Sequence, residues 1–316
     1  MSRIESIAGI ENELTRLYET RGKACRASLF NFIVWAPMPQ QLPYFRELIQ
    51  KVIDKFPCRL IFITQSLGRK LEIDVSIDVK THLACDLIEI RVPEEELPKL
   101  PYLLLPQLLP DLPIYLLCSQ DPTLKTDLYT TLFPYTTWII FDSSWADDIA
   151  AFASAFLAHP LKKLRDVNWS LISGWRHTLS RVIDTQDKYA SVKKAALIDI
   201  TYKEGSPTQA SYLQAYLKSK LPHCPARFSL TPTSGEGFPG DILALDIDTQ
   251  NYEFSLTRKG TQITVHSSTP QACDMPQTYP LTHVQRGFNF WRELLFEPAS
   301  ADYLAMLKEI SHTMAR

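Results

Sequence analysis

Glycine is scarce in this chain. Its 316 residues include 10 glycines against 22 prolines. A loop that wraps a phosphate in backbone N–H groups needs residues without a Cβ, so this is poor material for one. No G-x-x-x-x-G-K-[ST] run occurs. The G-x-G-x-x-G spacing of Gly235, Gly237 and Gly240 in GEGFPG holds Pro239 inside the turn, and the strand-like DILALDI follows it. A dinucleotide loop must instead follow a strand and open a helix, so that the helix amides meet the pyrophosphate. The stretch therefore reads as a loop or hairpin.

Other signals are missing too. No apolar run approaches the roughly 18 residues of a membrane span. The opening MSRIESIAGIENELTRLYE scatters acids where a signal peptide needs an apolar core, so a cytoplasmic protein is expected. Cysteines stand singly at 25, 58, 85, 118, 224 and 273, with no C-x-x-C pair and no zinc spacing. They read as buried thiols, although two distant ones could still meet in the fold. The seven histidines form no H-x-x-x-H or H-E-x-x-H pair, and no G-x-S-x-G elbow occurs. Neither a metal nor a cofactor is expected. With 33 basic and 35 acidic residues the net charge is −2, which excludes a nucleic-acid binder working through a broad basic field. The carboxylates of Asp147-Asp148 and Glu94-Glu95-Glu96 fall at helix starts, where the macrodipole favours anions.

What remains is ordinary core-forming material, 45% hydrophobic and 22% charged, enough for two domains. The first half alternates strands and helices. SLFNFIVWA (28–36), CRLIFIT (58–64), IYLLCS (114–119) and TWIIFDSS (137–144) are apolar runs suited to strands buried on both faces. LEIDVSIDV (71–79) alternates like an edge strand, and CDLIEIRV (85–92) follows it. Helical spacing marks 4–20, 42–56, TLKTDLYTTLF (123–133) and WADDIAAFASAFLA (145–158). PEEELPKLPYLLLPQLLPDLP (93–113) is too leucine-rich for a solvated linker and reads as short helical turns broken by proline. The second half opens on a helix, NWSLISGWRHTLSRVID (168–184). After it come a strand (195–202), a helix (206–221), the four short strands FSLTP, DILALDI, YEFSLTR and TQITVHS, and helices at 282–296 and 301–314. The expected class is α/β: an N-terminal domain (1–160) with a mixed, largely parallel sheet flanked by helices. An α+β domain (161–316) with an antiparallel meander follows.

One set of polar residues sits in apolar surroundings: Arg26, Asn31, Arg59, Asp111, Asp142 and Arg176. Buried charges need partners. Arg26, Arg59 and Arg176 could pair with Asp111, Asp142 and Asp166, or the group could form an anion pocket or a partner interface. Asp142 ends a strand, where ligands gather in parallel sheets, or it caps the next helix. Arg176 fills a gap in the stripe of Trp169, Ile172, Leu179 and Ile183.

ACRASLFNFIVW, FPCRLIFIT, LLPDLPIYLLCSQDP, IIFDSSW and RDVNWSLISGWRHTLSRVID resemble successive signature blocks of the glucose-6-phosphate dehydrogenase assembly protein family, OpcA. ASYLQAYLKSKL and FEPASADYLAML are similar to its later blocks. Their order and spacing agree over nearly the whole chain. The strongest parts are Asp111-Leu-Pro before a strand and the Trp169, Trp175, Arg176 helix. The proline-rich stretch departs from the family in its leucine content. The resemblance implies a non-catalytic protein that promotes the active oligomer of glucose-6-phosphate dehydrogenase, the NADP-linked entry enzyme of the oxidative pentose phosphate pathway. It also implies a link, in some members, to redox control of that enzyme. Trp and Arg dominate interface energetics, so Trp169, Trp175 and Arg176 are candidates for contact with the partner. They could equally weld the helix to the sheet domain. A sugar-phosphate or nucleotide site near Asp142, or a different protein partner, is the alternative.

Overall fold

The apolar runs of the first half line up as neighbours in one sheet. The computed structural model describes residues 2–21, 25–80, 83–124, 131–159, 161, 163–281, 288–296 and 300–313. The first strands are β1 (Ser2–Ile4), β2 (Cys25–Arg26), β3 (Asn31–Trp35), β4 (Arg59–Ser66), β5 (Glu72–Lys80), β6 (Leu83–Pro93), β7 (Ile114–Cys118), β8 (Trp138–Phe141) and β9 (Leu164–Asp166). They lie in the order β1-β5-β6-β4-β3-β7-β8-β9, with β2 pairing to β6. Strands β6, β4, β3, β7 and β8 are parallel, while β5 and β1 run antiparallel. Counting β3, β4, β6, β7, β8 and β9 as one to six gives the order 3-2-1-4-5-6. This is the doubly wound order of dinucleotide-binding sheets.

Every residue of β3 is buried, as are the first six of β4. Such near-continuous apolar strands need cover on both faces. The helix Leu42–Ile53 turns Phe45, Leu48, Ile49, Val52 and Ile53 inward, the spacing of an amphipathic helix. The proline-rich stretch folds into short turns: 3-10 at Glu94–Lys99 and Leu105–Gln107, with one α-helical turn at Leu100–Leu104 between them. The first helix begins at Ile10 rather than at residue 4, because Ser2–Ile4 extend and pair with β5. This covers the row of peptide groups that β5 would otherwise leave open as an edge.

The chain divides into two compact units, Met1–Trp145 with Lys162–Arg165, and Ala146–Leu161 with Asp166–Arg316. The expected boundary at 160/161 falls inside this exchange of segments. The second unit holds β10 (Leu197–Lys203), β11 (Arg227–Thr233), β12 (Ile242–Asp248), β13 (Glu253–Lys259), β14 (Gln262–Ser268) and β15 (Gln277–Pro280). Their order is β11-β10-β12-β13-β14-β15, with β10 and β11 parallel and the other pairs antiparallel. The helices Ile149–Ala158 and Thr208–Lys220 pack on Ala301–Thr313. The mixed sheet of the first unit and the meander of the second agree with the α/β class expected from the sequence.

Two details depart from the sequence pattern. The helix expected over 168–184 is two helices, Val167–Leu171 and Ser173–Val182, with Ile172 between them at ψ 1°. The Ser173-Gly174 pair after the break is a recurrent cause of kinks. A Cβ on Gly174 would come within 2.7 Å of Leu281, so close packing holds a glycine there. Of the helix expected over 123–133, residues 125–130 lie outside the described residues, and so do 282–287 of the helix expected over 282–296.

Candidate functional site

Two arginines of the first unit, Arg59 buried and Arg26 exposed, converge on a carboxylate the sequence pattern did not mark, Asp86. Parallel pairing sets Arg59 of β4 directly beside Asp86 of β6. Arg59 is 1% exposed and Asp86 0%. Arg59 Nε donates to Asp86 Oδ2 at 2.9 Å, and Arg26 Nη2 donates to the same oxygen at 2.8 Å. The Tyr18 hydroxyl donates to Oδ1 at 2.9 Å. Arg59 Nη1 also donates to the Gln107 carbonyl at 2.7 Å and meets Glu11 at 2.6 Å. Burial, then the Asp86 charge, pushes the Tyr18 phenol well up, so it stays a donor. The Asp86 carboxylate thus meets donors from two arginines and a tyrosine, the charge-assisted bonds a buried acid needs.

Asn31 does related work. Its side-chain oxygen accepts from the Leu109 N–H at 2.8 Å and its amide donates to the Leu109 carbonyl at 3.0 Å, pinning the proline-rich stretch to β3. Asp111 sits in the turn just beyond, exposed, at φ 62°. The expected pairing is therefore corrected. Arg26 and Arg59 meet Asp86 and Glu11 where Asp111, Asp142 and Asp166 were expected.

Asp142 ends β8 but does not cap the following helix. Asp148 does, accepting from the N–H groups of Ala150 and Ala151. Asp142 Oδ1 accepts from the Ser144 N–H at 3.0 Å, and its other oxygen accepts from the Tyr44 hydroxyl. These residues belong to the crevice between the carboxyl ends of β3 and β7, where doubly wound sheets bind ligands. Two side chains reach across it among the described residues. Gln41, 1% exposed, donates across it to the Ser119 carbonyl at 3.1 Å. Tyr44 reaches over to Asp142 and packs edge-on against Trp145, with ring centroids 5.8 Å apart. The turn after β3 reads APMPQQLPY, without glycine and with Pro37, Pro39 and Pro43. Those prolines remove three of the N–H groups that would cradle a pyrophosphate. At the end of β4, where an acid would take a ribose hydroxyl, stands Ser66. The residues present do not fit a dinucleotide.

In the second unit the organising carboxylate is Asp166, 3% exposed. It caps the helix Val167–Leu171 through the Asn168 N–H at 2.9 Å. It also accepts from the Tyr212 hydroxyl at 2.6 Å and the Tyr303 hydroxyl at 2.9 Å. Burial, then the Asp166 charge, pushes the Tyr303 phenol far above its ordinary value. Trp169 packs on Tyr303 and Tyr216, and Trp175 is 2% exposed. Arg176 is half-buried. Its guanidinium lies 3.7 Å from the Trp169 ring centroid and donates to the Trp169 carbonyl at 3.4 Å. An arginine is accommodated in the apolar stripe because its flat cation stacks on an indole.

Two further features escaped the sequence. Arg165 is 6% exposed and lies over the Trp138 ring at 3.6 Å, with no hydrogen-bond acceptor for its guanidinium among the described residues. Cys58 and Cys85 are buried thiols facing each other at the start of the β4–β6 pairing, and that contact, together with burial, raises the Cys58 thiol. Among the described residues no group of His, Cys, Asp and Glu could hold a metal, and no helix is long and apolar enough to cross a membrane.

The chain matches two family models. One, the glucose-6-phosphate dehydrogenase subunit N-terminal domain, covers residues 50–156; the other, the corresponding C-terminal domain, covers 162–295. A Synechocystis relative described as the OxPP cycle protein OpcA is 24% identical over 56% of this chain and 39% of its own length. Its Synechococcus elongatus counterpart is 21% identical over 62% of this chain and 45% of its own length. The matches thus span less than half the length of these curated relatives. Among solved structures, KijD10, a 3-ketoreductase from Actinomadura kijaniata in complex with NADP and TDP-benzene, superimposes with a TM-score of 0.54 at 8% identity. That superposition covers 90% of this chain and 96% of KijD10. At that identity the likeness is one of fold.

Three outcomes follow from these sites. Asp86→Ala leaves the buried Arg59 with only the half-exposed Glu11 as counter-charge and lowers unfolding free energy in urea by about 3 kcal/mol; a loss under about 1 kcal/mol contradicts the assignment. Because folding raises the Tyr303 phenol, its contribution is complete below the unfolded value of about 10 and is lost as pH rises above it. Tyr303→Phe therefore flattens the alkaline fall in melting temperature. Titration with NADP, followed by calorimetry and thermal shift, gives no binding up to about 1 mM, where dinucleotide enzymes saturate. Micromolar binding would show the crevice to be open.

Proposed function

Because the chain belongs to the OpcA glucose-6-phosphate dehydrogenase assembly family, we propose that it binds glucose-6-phosphate dehydrogenase and favours its active oligomer without turning over a substrate of its own. The observation that carries this is the pair of family models, in order along the chain and each described as part of a glucose-6-phosphate dehydrogenase subunit. The interior chemistry supports it. Asp86 and Asp166 are saturated with donors. Gln41 and Tyr44 are bonded across the crevice where a metabolite would sit. In this role the protein works beside its partner in the cytoplasm, in the oxidative pentose phosphate pathway.

A binding protein activates an enzyme by preferring one of its states. A ligand shifts an equilibrium only by its differential affinity, and a tenfold preference is worth about 1.4 kcal/mol. The alternative, an enzyme using a sugar phosphate near Asp142, would require Tyr44 and Gln41 to leave their present partners.

The test uses purified dehydrogenase from the same cells, assayed for activity and mass with and without this chain. The expected result is a several-fold rise in activity at limiting dehydrogenase, together with a heavier species containing both proteins. Unchanged activity and mass at tenfold excess would refute the proposal.

A further inference from the structure

The sheet of the second unit has one covered face and one open face. The covered face carries Ile198, Ile200, Leu245, Ile247, Phe254, Leu256, Ile263 and Val265, all buried. On the open face the strand registers give three cross-strand rows. One is Thr231, Thr201, Ala244, Thr257, Thr264 and Thr278. The next is Ser229, Asp199, Asp246, Ser255 and His266, and the third is Arg227, Leu197, Asp248, Glu253 and Ser268.

Most of these side chains are short, with Arg227, Leu197, Glu253 and His266 the larger ones. Five strands of seven residues and an edge strand of four, about 4.8 Å apart, make the face about 24 Å by up to about 23 Å, the footprint of a small protein interface. A water-facing antiparallel sheet is ordinary. The charge pattern on this one is not. Asp199 stands directly opposite Asp246, and Asp248 directly opposite Glu253. Like charges so placed weaken a sheet. Asp246, Asp248 and Glu253 are exposed, and among the described residues no basic side chain pairs with any of the four. Arg227 is held off Asp248 by the intervening Leu197, itself 38% exposed. The basic residues Lys203, Arg258 and Lys259 lie at the opposite end of their strands. There Lys203 is bonded to the Gly237 carbonyl and Arg258 to Asp241.

We propose that the open face of this sheet is the docking surface for a protein partner that presents paired lysine or arginine side chains to Asp199, Asp246, Asp248 and Glu253. The two like-charge pairs are a cost in the free chain, and a basic partner relieves it on binding. A second copy of this chain is a poorer occupant. It would set the acidic end either on itself or on an end where Lys203 and Arg258 are already bonded, leaving chiefly Lys259 to meet four acids. The inference rests on the proposed function, since it supplies the surface by which the chain meets another protein.

The experiment compares the full chain with Asp246→Lys/Asp248→Lys and with a distant acidic control, Glu94→Lys/Glu95→Lys, for binding to purified dehydrogenase at low and high salt. The expected result is wild-type binding that weakens with salt, at least tenfold weaker binding by the sheet variant, and control binding within twofold of wild type. The neutral pair Asp246→Asn/Glu253→Gln should weaken binding too, while holding or raising the melting temperature because repulsion is removed. That separates lost docking from lost folding. Undiminished binding by folded sheet variants, or a wild-type homodimer that these variants dissociate, overturns the docking surface while the proposed function stands. No binding by the wild-type chain overturns both.

Discussion

An ionised carboxylate inside a protein must collect hydrogen-bond donors or give up its charge. Each unit of this chain is organised by one buried carboxylate that has collected such donors. Asp86 gathers Arg59 from the neighbouring strand, Arg26 from the short strand beside it and Tyr18 from the first helix. Through Arg59 the same cluster reaches the Gln107 carbonyl in the proline-rich stretch. Asp166 caps one helix and draws tyrosine hydroxyls from two others. Elements far apart in sequence are thereby fixed in one geometry. The residues that look most like catalytic candidates are consumed in holding each unit together.

The crevice beyond the strands follows the same logic. The doubly wound strand order leaves a cleft between the carboxyl ends of β3 and β7. In this chain Gln41, Tyr44 and Trp145 occupy it, and prolines replace the glycines a phosphate needs. The architecture is shared with a reductase that binds NADP, but fold does not fix function, which is set by the site. Away from the cleft, the acidic sheet face of the second unit is the surface that charge pattern singles out.

Much of this was legible in the sequence. Continuous apolar runs marked β3, β4, β7 and β8, because strands covered on both faces cannot alternate. Leucines among prolines marked the packed turns at 94–107. The decoy glycines at 235–240 failed on context, and Gly240 does lie in a loop, at φ 83°, before β12. Asp86 was missed because partner choice depends on strand register, which a single sequence does not encode. Asp142 was a candidate cap for the next helix although Asp148 lay closer to its start. The break at Ile172 was invisible because helical periodicity continues across it. Arg176 was recognised as anomalous, but its partner was expected to be a carboxylate. Its guanidinium stacks on the Trp169 ring seven residues earlier, in the preceding helix.

The most direct test asks whether the buried charges serve structure alone. Arg59→Met combined with Asp86→Leu removes the central pair, leaving Arg26 its contact with Glu11 and Tyr18 its bond to the Ala84 carbonyl. Replacing a buried ion pair by apolar residues of similar volume is often neutral for stability. The measurement is stimulation of glucose-6-phosphate dehydrogenase by the folded double variant. Stimulation equal to that of the unaltered chain is the expected result. A double variant that folds and binds the dehydrogenase but no longer stimulates it would contradict the account, because it would give the interior charges a part in function.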